Sequence, residues 1–315
     1  MKIAITGGAG FIGGNLCRLL VEADWVDRVV ALDDLSTGSA DHLQDVDATL
    51  IAGSILDSST LDDAFAGADA VVHLAARASV PRSIADPVAS HEVNATGTMR
   101  VLEAVRRNGN AHVIVASSSS VYGSNPALPK HENLAPAPLS PYAASKLVTE
   151  AYALAWANCY ELNVLAFRFF NVFGPLQPAG HAYAAVVPTF IDAALSGKPL
   201  PVHGDGRQTR DFTFVGSVAA VIADALKRQV SSVWPINLAF GSRTSLVDLI
   251  ALLEEVVGRP LERDHQPPRP GDVRDSQADT ALLQSLFPDT TPVPLKEGLS
   301  ATVEWFRRSQ SYPQI

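Results

Sequence analysis

Apolar positions along the chain fall into two textures. Short runs rich in β-branched residues recur at KIAIT (2–6), RVVALDD (28–34), TLIAGSI (49–55), AVVHLAA (70–76), HVIVASSSS (112–120) and NVLAFRFFNV (163–172). Between them, stretches such as GNLCRLLVEAD and GTMRVLEAVRRNG space their apolar residues three and four apart, the period of a helix with one buried face. Strands that are apolar on both faces and separated by helices predict a parallel sheet covered on two sides, with right-handed crossovers. The expected fold class is therefore α/β, a doubly wound parallel sheet. Past residue 170 the pattern breaks into pieces punctuated by Pro and Gly, at GPLQPAG, SGKPLPVHGDG and QPPRPG. A smaller C-terminal α/β domain is expected there, over 171–315, following a first domain over 1–170 that also receives part of 212–240.

Composition narrows the classes. The 315 residues suffice for a substantial core, and 47% hydrophobic with 18% charged residues is an ordinary globular balance. No uncharged apolar stretch approaches the ~18 residues of a membrane span, so a soluble protein without membrane contact is expected. MKIAIT could open a secretory signal, but glycines interrupt it at once, and a strand is the better reading. A formal charge of -9 argues against nucleic acid as partner, so an anionic ligand must meet locally placed arginines. The two cysteines, Cys17 and Cys159, form no C-x-x-C pattern, and the eight histidines show no H-E-x-x-H. A reducing, cytoplasmic setting and no metal are the expectations.

The run AITGGAGFIGGNL (4–16) changes the picture. Gly7, Gly10 and Gly13 follow a predicted strand and open a predicted helix in the order G-x-x-G-x-x-G, with Phe11 and Ile12 between the last two. Such a loop lets the backbone approach a pyrophosphate and aims unsatisfied helix N–H groups at its charge. The first domain is thus expected to be Rossmann-like. Asp33 ends the second predicted strand twenty residues after Gly13. A carboxylate there can bind ribose hydroxyls and repels a 2'-phosphate, favouring NAD over NADP. Asp33 and Asp34 also read as turn residues, a role that suits Asp34 better.

A second motif, SPYAASK, sets Tyr142 and Lys146 four apart on one helix face. The ammonium there can lower the phenol's pKa toward the working pH, making a proton-shuttling phenolate accessible. Upstream, the strand of VIVASSSSVYG runs into Ser117 to Ser120, four hydroxyls at the carboxyl end of the sheet where a substrate oxygen can be held, or which simply cap a polar loop.

TGGAGFIGG, SSSSVYG, YAASK, RFFNVFGP, GDGRQTRDF and RPGDVRDSQAD, in that order over nearly the whole chain, resemble the extended short-chain dehydrogenase/reductase family and within it the UDP-sugar 4-epimerases. The resemblance implies Ser118, Tyr142 and Lys146 as the catalytic trio, and an NAD site lined by Gly7, Gly10, Phe11, Ile12, Gly13, Asp33, Leu74, Ala75, Ala76 and Asn94 together with Tyr142 and Lys146. The adenine-contacting segment often reads G-D-I in the family; here it is Gly53, Ser54, Ile55, a departure that puts adenine contacts through Ser54 and Ile55 in question. Asn171, Val187, Arg210, Arg269 and Asp272 match positions on the UDP side, with Ser118, Ser119, Ser120 and Tyr142 at the sugar. Arg210 and Arg269 suit paired, charge-assisted bonds to phosphates, though each could instead pair with its neighbour Asp211 or Asp272.

The resemblance further implies a resident NAD, a transient 4-keto sugar, and a homodimer through the helices of GTMRVLEAVRR and YAASKLVTEAYALAWA. Dehydratases place Asp-Glu where Ser119 and Ser120 stand, and UDP-glucuronate decarboxylases a glutamate at Ser120, so both chemistries rank below epimerisation. Ser276 occupies a gatekeeper position where bulky residues exclude an N-acetyl group. A small residue there favours UDP-GlcNAc/UDP-GalNAc, with UDP-Glc/UDP-Gal as further substrates. UDP-glucuronate is the runner-up, weakened by Asn171 where glucuronate epimerases tend to carry threonine. A net NAD-dependent sugar dehydrogenase and a catalytically silent nucleotide-binding protein rank lower still; the second would be expected to have lost Tyr142 or Lys146.

Overall fold

The computed structural model describes residues 1–179, 184–267 and 274–309. All six apolar runs become strands: β1 (Lys2–Thr6), β2 (Arg28–Asp33), β3 (Ala48–Ala52), β4 (Ala70–His73), β5 (His112–Ser118) and β6 (Val164–Phe169). With an outer strand, Ile236–Leu238, they form a seven-stranded sheet in the order outer strand, β6, β5, β4, β1, β2, β3, every neighbour parallel. The runs are trimmed at their ends for local reasons. TLIAGSI leaves the ladder at Gly53, and HVIVASSSS stops at Ser118 because Ser119–Tyr122 turns into a 3-10 helix capped by the Ser118 hydroxyl. The chain winds outward from β1 toward β3 and from β4 toward the outer strand, so a crevice opens at the carboxyl ends of β1 and β4.

Both faces of the sheet are buried, which is why the strands read as continuous apolar runs. Ile3 and Ile5 pack with Leu16 and Leu20 of helix Phe11–Val21 and with Val218 and Ile222 of helix Val215–Arg228. Ala4, between them, points the other way, into a core with Leu61 and Phe65 of helix Ser58–Phe65 and Leu102 and Val105 of helix Gly97–Arg107. Helix Pro141–Tyr160 covers β5 and β6 on that same side, with Ala153 in the core. Each large side chain fully buried this way contributes about 1.5–3 kcal/mol.

Later residues build a third core from Phe190, Ile191, Leu249, Leu253, Leu299 and Phe306. Among the described residues the strands around it are short pairs: Val172–Phe173 with Thr213–Phe214, Leu200–His203 with Arg263–Gln266, and Thr209–Arg210 with Thr244–Ser245. Among the described residues no helix is long and apolar enough to cross a membrane.

Candidate active site

At the carboxyl end of β1 the glycines are required by contact. Gly7 has φ +72°, and its amide, like that of Gly8, donates to the Leu32 carbonyl at the end of β2. A Cβ on Gly7 would stand 2.8 Å from the Ala75 nitrogen, and one on Gly13 only 2.1 Å from the Gly7 oxygen. Both obstacles are backbone and cannot move aside. The loop therefore lies tightly against Leu74 and Ala75, with Ala76 next along the chain, and the helix it opens, with Phe11 and Ile12 in its first turn, has Gly10 as an N-cap with no side-chain hydrogen bond. Its first N–H groups are not taken up by a capping side chain, the requirement for an anion such as a pyrophosphate.

Asp33 closes the same crevice. Its Oδ2 accepts from the Ala9 amide at 3.0 Å and its Oδ1 from the Leu35 amide at 2.9 Å. Burial pushes the carboxyl up, and these two bonds pull it back. Asp34 caps its own turn instead, accepting from the Ser36 amide and hydroxyl. In the segment that departs from the family pattern, Ser54 Oγ accepts from the Leu56 amide at 3.1 Å. Ile55 is buried and its Cδ1 would meet a Cβ on Gly97 at 2.5 Å.

Ser118, Tyr142 and Lys146 converge across the crevice. Ser118 ends β5, while Tyr142 and Lys146 lie one turn apart on helix Pro141–Tyr160, which starts at a Ser140 N-cap and an N1 proline. The Tyr142 phenol is raised above its usual value by burial, and a hydrogen bond with Ser118 acts against that rise. Lys146 Nζ donates to the Ala116 carbonyl at 2.8 Å, and burial lowers this ammonium to about 8. The lysine's effect on the phenol differs from the sequence expectation. Burial is the largest influence on the phenol in this structure, and it works against the lowering that the sequence suggested. Ser120 donates to Ser118 Oγ through its amide at 3.2 Å and its hydroxyl at 2.9 Å, and Ser119 shares their 3-10 turn.

Behind the trio runs a buried polar network of which sequence reasoning named only Asn94 and Ser117. Asn94 lies in a π-helical turn, Glu92–Thr96, a feature frequent at functional sites. Its side chain donates to Ser145 Oγ at 2.9 Å and accepts from the Arg77 amide at 2.7 Å. Its carbonyl accepts from Thr98 and Thr149 at 2.6 and 3.1 Å. Thr98 continues to His73 Nε2 at 3.0 Å, and His73 Nδ1 to Thr6 Oγ1 at 2.7 Å. Beneath Lys146, Ser117 Oγ donates to Glu150, which grips Arg168 with two bonds of 2.6 and 3.0 Å. Arg168 in turn stacks 4.7 Å over the Tyr122 ring. The one clue in the sequence was a polar residue inside an apolar run: His73 in AVVHLAA, Arg168 in NVLAFRFFNV.

On the far side of the crevice, Asn171 (φ +32°) donates through Nδ2 to the Asp211 carbonyl at 3.2 Å. Arg210 Nη1 donates to the carbonyls of Thr209 and Arg274 at 2.9 and 3.1 Å. The amide of Ser276, a buried residue, donates to the Thr209 carbonyl at 3.1 Å. Val187 is buried in the first turn of helix Val186–Leu195. Arg269 and Asp272 lie outside the described residues.

Residues 3–239 match the model of the NAD dependent epimerase/dehydratase family. The chain belongs to that family. UDP-glucose 4-epimerase of Mycolicibacterium smegmatis is 37% identical over 318 residues, covering 98% of this chain and 99% of that relative. Among solved structures, the UDP-N-acetylglucosamine 4-epimerase from Methanobrevibacter ruminantium in complex with UDP-N-acetylmuramic acid superposes with a TM-score of 0.92 at 34% identity, covering 98% of this chain and 99% of that one. UDP-glucuronic acid 4-epimerase from Bacillus cereus, in complex with UDP-glucuronic acid and NAD, gives 0.88 at 30% identity, over 98% of this chain and 99% of that one.

Membership in the epimerase/dehydratase family makes NAD the cofactor. Neither the Ser119 nor the Ser120 hydroxyl is a strong acid or base near neutral pH.

Proposed function

We propose that this enzyme interconverts the 4-epimers of a UDP-hexose and that its preferred pair is UDP-GlcNAc/UDP-GalNAc, with UDP-Glc/UDP-Gal also accepted. The observation that bears most on the reaction is the half-buried Tyr142, its phenol hydrogen-bonded to Ser118, one helical turn from a buried lysine lowered to about 8. The loop Gly7–Gly13, Asp33, Leu74–Ala76 and Asn94 would hold NAD, with Ser54 and Ile55 at the adenine end; it supplies reversible hydride acceptance. Tyr142 takes the proton of the sugar's 4-hydroxyl, Ser118 steadies that oxygen as charge develops, and Lys146, cationic below about 8, favours the phenolate. The 4-keto sugar then turns within the pocket, and Tyr142 returns the proton once the opposite face has been reduced.

Ser276 supports the substrate choice: its side chain is small, and its amide is tied to the strand that carries Arg210. Asn171, Val187, Arg210, Arg269 and Asp272 are proposed to hold the uridine diphosphate. UDP-glucuronate is the second reading, supported by the Ser119 and Ser120 hydroxyls beside Ser118 and by the likeness to the Bacillus cereus enzyme. The proposed division runs 1–170 for NAD and 171–315 for the UDP-sugar, with part of 212–240 returning to the first, in keeping with the outer strand Ile236–Leu238 beside β6. A homodimer is proposed through helices Gly97–Arg107 and Pro141–Tyr160, where Tyr152, Trp156 and Tyr160 meet edge-on in sequence along one face of the second helix.

The test is incubation with NAD and each of UDP-GlcNAc, UDP-glucose and UDP-glucuronate, followed by proton NMR. Conversion of UDP-GlcNAc to its 4-epimer without NADH build-up, its loss in Tyr142→Phe, and its selective loss in Ser276→Tyr are the expected results. A 4-keto-6-deoxy sugar or a pentose as main product, or no conversion at all, would overturn the epimerase reading; turnover of UDP-glucuronate alone would overturn the substrate choice.

A further inference from the structure

Asp211 follows Arg210 in the run GDGRQTRDF and is 0% exposed. The sequence suggested it as an ion-pair partner for Arg210; the structure gives its carboxylate another occupation. Oδ1 accepts from the Ser242 amide at 3.2 Å and the Ser242 hydroxyl at 2.9 Å, and Oδ2 accepts from the Ala278 amide at 3.0 Å. The Gly241 amide also donates to the carboxylate, and the Asp211 carbonyl accepts from Asn171.

These donors come from three chain segments, at 171, 241–242 and 278. Strand Thr209–Arg210 pairs over only two residues with Thr244–Ser245. The segment leading to Ala278 is laid along the same strand by the Ser276 amide to the Thr209 carbonyl and by the Thr209 hydroxyl to Asp275 at 2.5 Å. Gln277 reaches across to the Gly241 carbonyl at 3.0 Å. Two-residue strands do not fix their own position. A desolvated carboxylate whose lone pairs are filled by amides from different segments does, because each bond is charge-assisted and leaving any one unmade strands a buried charge.

We propose that Asp211 is a positioning residue for the UDP-sugar: it latches loop 241–242 and segment 276–278 onto the Arg210 strand, so that Asn171, Arg210 and Ser276 are aligned before substrate arrives. The inference rests on the epimerase reading above, since it needs those three residues to face a UDP-sugar. Its partners are Asn171, Gly241, Ser242 and Ala278, none of which belongs to the glycine loop or to the Ser118, Tyr142, Lys146 group. Losing the latch should therefore weaken UDP-sugar binding while sparing NAD binding and the chemical step.

Asp211→Asn keeps the shape but turns one acceptor into a donor that faces another donor. For the folded variant, UDP dissociation by calorimetry and KM for the UDP-sugar turned over by the wild type should each rise about tenfold or more, with kcat at saturation and NAD content within about twofold. Ser242→Ala removes one hydroxyl bond and leaves the amide in place, so it gives a reading even if the first variant fails to fold; UDP dissociation should rise about threefold. UDP affinity unchanged in both, or a fall in kcat with KM untouched, overturns the latch. A wild type that binds no UDP overturns the function and the latch together; UDP binding by the wild type with unaltered variants overturns the latch alone.

Discussion

The two halves of this molecule hold their ligand-facing residues by different means. On the side proposed for NAD, strands of three to seven residues are locked in register across the whole sheet, and the glycine loop is shaped by backbone contacts too close for any side chain. On the side proposed for the UDP-sugar, pieces of two residues are gathered by side-chain bonds to main-chain groups, several of them ending on one carboxylate. A ladder shares its load among many bonds, whereas a latch concentrates it in one side chain. A half built on a ladder should yield only where a buried group or a backbone contact is disturbed directly.

The largest such disturbance is expected at Glu150. It pairs with Arg168 in a place where the side chains are 5% and 3% exposed, joining helix Pro141–Tyr160 to β6. Glu150→Gln leaves the guanidinium buried without its counter-charge, a loss of about 3–5 kcal/mol of stability that chemical denaturation would report. A loss below about 1 kcal/mol would mean that the Tyr122 ring and the Glu132 carbonyl satisfy Arg168 unaided, and that the helix is anchored elsewhere.

Gly13→Ala separates the halves functionally. Its new methyl would meet the Gly7 oxygen at 2.1 Å and the Gly8 Cα at 2.8 Å, so the loop must open. NAD affinity is expected to fall about 100-fold, or ~2.7 kcal/mol, with UDP affinity within about twofold. Equal losses for both ligands in a folded variant would show that the cradle and the UDP site are one unit, which erases the contrast.

The same contrast explains what could be read in advance. β1 to β6 were legible because parallel strands buried on both faces leave an uninterrupted apolar run, and Gly7 and Gly13 because their spacing sits between a strand and a helix. Tyr142 and Lys146 were legible because helical geometry turns a spacing of four into one face. Asp211 was not, because its partners at 241, 242 and 278 are distant in sequence and use backbone amides, which any residue type supplies. Glu150 and Arg168 were hidden for a related reason: the helix period puts Glu150 on the face of Tyr142 and Lys146 but names no partner for it, and the strand pattern has no place for a buried arginine, so only the fold shows that they meet.

Acid should make the comparison visible in a single titration. His73 is 3% exposed, its two ring nitrogens are taken by Thr6 and Thr98, and burial, aided by the nearby Lys146 cation, lowers it from 6.5 to about 3. Between those values the unfolded chain binds a proton there that the folded chain refuses, so acidification favours unfolding. His73 should remove about 1.4 kcal/mol of stability per pH unit as pH falls through that window. Asp211 has the opposite sign: its folded carboxyl is raised by burial, so its contribution to stability is fully present at low pH and declines as pH rises through the raised value. Urea denaturation at pH 6, 5 and 4 should therefore show a shallower acid loss in His73→Gln than in the wild type and a steeper one in Asp211→Asn. Equal slopes for His73→Gln and the wild type would mean that the imidazole takes a proton without unfolding the chain, and that the network from Thr6 to Asn94 is open to water rather than part of the buried frame.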